Sequence, residues 1–157
     1  MDDRALLLEN QLCFPLYAAS KAVLGRYKPL LDDIGLTYTQ YIVMMVLWAD
    51  KSLSVSGLGK RLYLDSGTLT PLLKRLEEKG LIRRTRFAQD ERKVIVTLTK
   101  GGEALKVRAM EIPPQIGRCL NLNIEEAATL YRLLYKVLAP SACSAGVQSG
   151  NYEGETR

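Results

Sequence analysis

The sequence predicts a mainly α-helical fold with a small β-wing, and three observations lead there. Helical spacing of apolar residues runs through most of the first 138 positions. It is interrupted once, after residue 80, by two short β-prone segments. Positive charge gathers around that interruption: residues 51–100 hold 12 of the 22 Lys/Arg and 5 of the 17 Asp/Glu, a local +7 in a chain of net +5. Two short helices followed by a charged hairpin, all within one basic third, is the order of a winged helix-turn-helix.

Residues 5–31 read as one long helix, apolar on more than one face, with Leu6, Cys13, Tyr17, Leu24 and Tyr27 along one stripe. Such a helix calls for two neighbours, which points to a dimer interface beside its own core. Pro15 is expected to bend it, and Pro29 falls near its end. Thr39 is the expected cap of a second helix reaching Ala49, with Tyr41, Ile42, Met45, Val46 and Trp48 as its apolar positions. Ser54 caps a short helix from Val55 to Leu62, with Leu58 inward. After a tight link, Asp65 or Ser66 caps the next, which Lys79-Gly80 stops. Its Leu69, Leu72, Leu73 and Leu76 share the buried face. The strands are Leu81–Thr85 and Val94–Leu98, joined by a polar loop over 86–93. Thr99 opens a helix that Pro113-Pro114 should stop near Ile112. A last helix spans about Ile124 to Leu138. The winged helix is thus placed at about 39–98 and dimerisation helices at about 5–31 and 99–139, within a single domain of residues 1–139. The Ser-, Gly- and Ala-rich stretch 140–157 is expected to be disordered.

At 47% hydrophobic and 25% charged residues the composition is that of an ordinary globular chain. No apolar run reaches the ~20 residues a membrane helix needs, and the acidic N-terminus does not read as a secretory signal, so a cytoplasmic protein with no membrane partner is expected. Histidine is absent, which removes the usual general base and the commonest metal ligand. The three cysteines, Cys13, Cys119 and Cys143, show no C-x-x-C spacing. No metal site, no cofactor and no enzymatic turnover are therefore expected.

The helix opening at Ser66 has the means to enter a major groove. Ser66, Thr68 and Thr70 can approach phosphates or base edges, and Lys74 and Arg75 can neutralise phosphates. At the hairpin, Arg86, Arg92 and Lys93 suit the strongly negative minor groove. Pro71 lies too deep in this helix to be a first-turn proline, and spacing alone gives no reason for it.

The stretch Leu62-Tyr63-Leu64-Asp65-Ser66-Gly67-Thr68-Leu69-Thr70-Pro71-Leu72-Leu73-Lys74-Arg75-Leu76-Glu77 resembles the recognition region of the MarR family of regulators. Asp90-Glu91-Arg92 followed by a Val-Ile-Val-Thr-Leu-Thr strand resembles that family's wing. Leu8 to Phe14 and Tyr27 to Leu31 are similar to its organic hydroperoxide resistance branch. The likeness covers about residues 5–138. It implies a homodimeric repressor on pseudo-palindromic double-stranded DNA, with Cys13 as the sensor of an organic hydroperoxide. It also implies Tyr17, Tyr27 and Tyr38 as partners of the thiolate, Arg92 as the minor-groove arginine with Asp90 supporting it, Asp65 among the DNA-binding residues, and a shaping role for Pro71. Pro15 departs from the family pattern, and the stretch after Pro140 has no counterpart in it.

A thiolate attacks a peroxide and the resulting sulfenic acid is captured by a second thiol. In a mid-helix position Cys13 gains nothing from a helix end, and Tyr17, one turn on, is the near hydrogen-bond donor. Cys119, at the start of the last helical region, is the preferred resolving thiol, with Cys143 or a small thiol as alternatives. Three other readings stand: a regulator that binds a small aromatic ligand, a thiol peroxidase using Cys13, and an interaction module that does not touch DNA.

Overall fold

The computed structural model describes residues 3–87 and 90–139, with the side chains of residues 91 and 92 outside that description. The chain divides after Cys119 into two units.

The first unit opens with two short 3-10 turns, Asp3–Leu6 and Leu8–Asn10, rather than with a helix from residue 5. Asn10 Nδ2 donates to the Arg4 carbonyl at 2.7 Å and Gln11 Nε2 to that of Ala5, holding the turns from the side. Helix α1, Cys13–Asp33, follows. Cys13 is therefore not mid-helix; it is the first helical residue. Pro15 does not bend the helix, because it sits in the first turn, where a missing N–H costs no internal bond. Pro29 is the proline inside α1.

Helix α2, Tyr38–Asp50, is capped by Thr37, not Thr39. Thr37 Oγ1 accepts from Gln40 N–H, and the Gln40 side chain accepts from Thr37 N–H at 3.0 Å, a reciprocal capping box. This helix carries the centre of the core: Tyr41, Val43, Met44 and Leu47 are fully buried, whereas Met45, expected among the apolar positions, is exposed. Helix α3, Val55–Leu62, has the expected bounds and its Ser54 cap, with Leu58 fully buried. Helix α4, Ser66–Glu78, is capped by Asp65 and buries Leu69, Leu72, Leu73 and Leu76.

The sheet has three strands, not two. Strands β1 (Ser52–Ser54), β2 (Ile82–Phe87) and β3 (Asp90–Leu98) are ordered β1-β3-β2, antiparallel throughout. Leu53 faces Val96 and Ile82 faces Leu98 across the ladder, and the register shifts between Arg86 and Phe87. The expected loop over 86–93 is thus mostly strand, and the hairpin is a longer arm than its β-prone residues suggest.

Helix α5, Lys100–Ala109, and helix α6, Ile112–Arg118, replace the single predicted helix. Pro113-Pro114 begin α6 in its first turn instead of ending α5, by the same logic as Pro15. Trp48 Nε1 donates to the Gly102 carbonyl at 2.8 Å, and Arg108 Nη2 donates to Asp33 Oδ2 at 2.9 Å, so α5 is tied to both α2 and the end of α1. Gly102 packs so closely on the Leu81 carbonyl that no side chain fits there.

The second unit carries helix α7, Ile124–Leu138, with an Asn123–Glu126 capping box and no buried residue. Among the described residues no helix is long and apolar enough to cross a membrane. The stretch 140–157, with Cys143, lies outside the described residues.

Candidate nucleic-acid interface and thiol site

The exposed edge of the first unit is built by α4 and the hairpin. Asp65 caps α4 with both oxygens: Oδ1 accepts from Thr68 N–H at 2.8 Å and Oδ2 from Thr68 Oγ1 at 2.7 Å. The Thr68 hydroxyl, then the Thr68 amide, hold the Asp65 carboxyl below its ordinary value. Thr70 Oγ1 donates to the Ser66 carbonyl at 2.7 Å. Ser66, Thr68, Thr70, Lys74 and Arg75 are all exposed, while the leucines between them are buried. Lys74 lies 3.9 Å from Glu78, one turn on, a distance too long to hold it. The helix runs on through Pro71, which has no N–H to donate to the Gly67 carbonyl.

The hairpin is fixed to α4 by a contact that residue patterns did not announce. Glu77 Oε1 accepts from Arg84 N–H at 2.7 Å, and Oε2 accepts from Arg84 Nε at 2.9 Å and Nη2 at 2.8 Å. These bonds, the backbone one first, hold the Glu77 carboxyl below its ordinary value. An acid at the end of a helix and an arginine just past the following glycine stop is the signal that was available. Arg86 is exposed on β2, and Asp90 begins β3 with Lys93 at 3.7 Å. Arg92 lies in β3, but its side chain is outside the described residues.

The thiol site is only partly assembled within one chain. Cys13 is exposed, flanked by exposed Leu12 and Phe14. Tyr17 is exposed too, with Lys21 Nζ 5.3 Å from its ring centre. Tyr27 and Tyr38 come together, ring centres 5.0 Å apart, although the sequence separates them by a helix end. Tyr27 also lies 6.0 Å from Tyr41, which in turn lies 6.1 Å from Trp48. Burial, then Tyr38, pushes the Tyr27 phenol up, and burial pushes Tyr41 up to about 12, so both stay protonated donors at neutral pH. Among the described residues no hydrogen bond joins the Cys13 side chain to Tyr17, Tyr27 or Tyr38. Cys119 follows the last residue of α6, not the start of the final helix; it is exposed, and its carbonyl accepts from Arg26 Nη1 of α1. Between α2, α5 and α6 lies an open cavity of about 260 Å³, walled by Tyr41, Met45, Trp48, Lys106, Met110 and Pro113 among others.

A helix pair, a basic hairpin braced against the second helix, and flanking helices define a winged-helix transcriptional regulator, not an enzyme. Comparison with known proteins agrees. Residues 26–108 match the family described as transcriptional regulator SarA/Rot. The chain is 48% identical, over 131 residues, to the organic hydroperoxide resistance transcriptional regulator of Bacillus subtilis, covering 83% of this chain and 89% of that one. Among solved structures it is similar to AbfR of Staphylococcus epidermidis, solved overoxidized and reduced on DNA and with a disulfide formed; the overoxidized complex gives 36% identity, TM-score 0.73 and coverage of 88% and 96%. It is also similar to BpsR of Bordetella bronchiseptica, whose DNA binding is regulated by 6-hydroxynicotinic acid, at 26% identity, TM-score 0.79 and coverage of 86% and 98%. The chain belongs to the MarR family of transcriptional regulators, in its organic hydroperoxide resistance branch.

Proposed function

We propose that this chain is a homodimeric repressor that binds pseudo-palindromic double-stranded DNA through α4 and the hairpin, and releases it when an organic hydroperoxide oxidises Cys13. The observation that carries the reading is the place of Cys13. It is solvent-exposed at the first turn of α1, where an oxidant in solution can reach it. A thiolate is the form that attacks a peroxide. Leu12 and Phe14 beside it offer an apolar approach for a greasy hydroperoxide.

Tyr27 and Tyr38 form a pair of phenols that no thiol among the described residues is bonded to. In a dimer they serve the partner's Cys13, and α7 with its uncovered leucines supplies dimer contact. The Cys13 thiolate attacks the terminal peroxide oxygen as the O–O bond breaks, giving the sulfenic acid and an alkoxide that takes a proton from water and leaves as the alcohol. A second thiol then displaces water to form the disulfide. Cys119 of the partner chain is the preferred second thiol, with Cys143 or a small thiol as the other routes. Cα atoms must come within ~7 Å for that bond. The movement changes the separation of two α4 helices that must sit ~34 Å apart to read one face of DNA. On the DNA side Ser66, Thr68, Thr70, Lys74 and Arg75 read and hold the major groove, while Arg86 and Arg92, with Asp90, serve the minor groove. The similarity to a regulator named for hydroperoxide resistance, and to AbfR in three oxidation states, supports the reading.

Cys13→Ser tests it: the variant binds operator DNA as the native chain does, and hydroperoxide no longer releases it. Persistent release would end the sensing assignment. On non-reducing gels, a covalent dimer of the oxidised protein that vanishes in Cys119→Ser identifies the second thiol. One observation favours a second reading. The cavity with Tyr41, Trp48 and Lys106 is suited to a small aromatic acid, the kind of molecule named for BpsR. Release of DNA by an aromatic acid from Cys13→Ser, and not by hydroperoxide from the native chain, would select it.

A further inference from the structure

Thr68 and Thr70 are exposed on the first two turns of α4, and the hydroxyl of each has its one proton already engaged. Thr68 Oγ1 donates to Asp65 Oδ2 at 2.7 Å while the same residue's amide donates to Oδ1 at 2.8 Å. Thr70 Oγ1 donates to the Ser66 carbonyl at 2.7 Å. Neither acceptor can return a proton. A carbonyl has none, and Asp65, exposed and held ionised by its two bonds from Thr68, has none at neutral pH. A hydroxyl owns one donor and two lone pairs. What these two present to the outside is therefore a lone pair.

That restricts what they can bind. Phosphate oxygens, guanine N7 and O6, and thymine O4 are all acceptors, and meet a lone pair with repulsion. Adenine N6 and cytosine N4 are the groups in the major groove that supply protons. Resting on the DNA-reading function above, we propose that Thr68 and Thr70 are specificity residues that accept hydrogen bonds from the exocyclic amines of adenine or cytosine. Guanine and thymine are rejected on the strand each threonine faces. Asp65 is then a positioning residue, setting the polarity of the Thr68 hydroxyl, and the backbone carbonyl of Ser66 does the same for Thr70. The Ser66 hydroxyl, which has no partner among the described residues, is the one left to donate to a phosphate.

The test is selection of bound duplexes from a random double-stranded DNA pool by the full-length protein, read by sequencing. The native chain, Asp65→Asn and Thr68→Val are run in parallel. Asparagine caps a helix as well as aspartate. It also offers an oxygen to the Thr68 amide and an N–H to the Thr68 hydroxyl, which turns the hydroxyl proton outward. In the native chain two positions per half-site should favour adenine or cytosine by about fivefold. In Asp65→Asn one of them should switch to guanine or thymine, and the position read by Thr70 should stay unchanged as the internal control. Thr68→Val should lose the preference at that same position alone. An Asp65→Asn selection identical to the native one would overturn the proposal. So would a Thr68→Val variant that binds every sequence more weakly with no positional change, the signature of a phosphate contact. Native protein that enriches no sequence at all would overturn the DNA-binding reading itself, and is told apart by the native arm alone.

Discussion

Helices α4 and α7 carry the same kind of leucine pattern and meet opposite fates. In α4, Leu69, Leu72, Leu73 and Leu76 are all buried within the chain. In α7, Leu130, Leu133, Leu134, Val137 and Leu138 are all exposed, and no residue of the helix is buried. Both have side-chain caps, so the difference does not lie in helix initiation. Periodicity states which face wants cover, and what covers it depends on the rest of the fold. A 15-residue amphipathic helix is marginal in water when alone. On the homodimer proposed here, a second copy supplies for α7 what α2 and α3 supply for α4.

The contrast can be broken by mutation, most sharply in the buried helix. Leu73→Ala should lower unfolding free energy by about 2–5 kcal/mol, read by denaturant titration. Gly102→Ala should cost about 1–3 kcal/mol in the same assay, against the usual gain from replacing a helical glycine. Its new methyl meets the Leu81 carbonyl, which cannot give way without moving the turn into β2. Leu134→Ser should cost under about 0.5 kcal/mol at a dilution where the chain is monomeric, yet weaken the dimer in analytical ultracentrifugation. A loss matching that of Leu73→Ala under those conditions would mean α7 is covered by its own chain.

The smallest effect is a dependence on pH. Glu77 titrates below its ordinary 4.5 in the folded chain because Arg84 donates to it three times. A carboxyl lowered on folding stabilises fully above its unfolded value and loses that contribution as pH falls through its folded one. Unfolding free energy should therefore decline below about pH 4.5. Glu77→Gln should flatten that decline while leaving the Asp65 and Glu103 contributions, lowered by Thr68 and Lys51, in place.

The middle of the fold was legible because its signals are local. Ser54 and Asp65 cap the helices they precede, four leucines mark the α4 face, and β-branched residues mark β3. What escaped depends on distant or positional facts. Strand β1 is three residues long and exists through pairing with Val96 and its neighbours, some forty positions away. Pro15 and Pro113-Pro114 were read as interruptions because proline inside a helix breaks it, whereas proline in a first turn opens one. The meeting of Tyr27 with Tyr38, and of Glu77 with Arg84, is set by how α1, α2, α4 and β2 pack. Of the thiol site, the sequence offered the cysteine and the tyrosines but not the helix end on which the cysteine sits.

The placement of Pro15 has a consequence for the sulfur two residues before it. A helix grows backward by adding turns at its start, and here that growth would press the pyrrolidine ring onto the carbonyl of Gln11. The ring acts as a ratchet tooth: lengthening α1 toward the N-terminus would make Pro15 an interior proline, at a cost of about 3 kcal/mol, and that cost opposes drawing Cys13 into the helix. With alanine at position 15 the tooth is gone, the leucine-rich turns ahead of it are free to wind into α1, and the Cys13 sulfur would move from the tip of the helix to its flank.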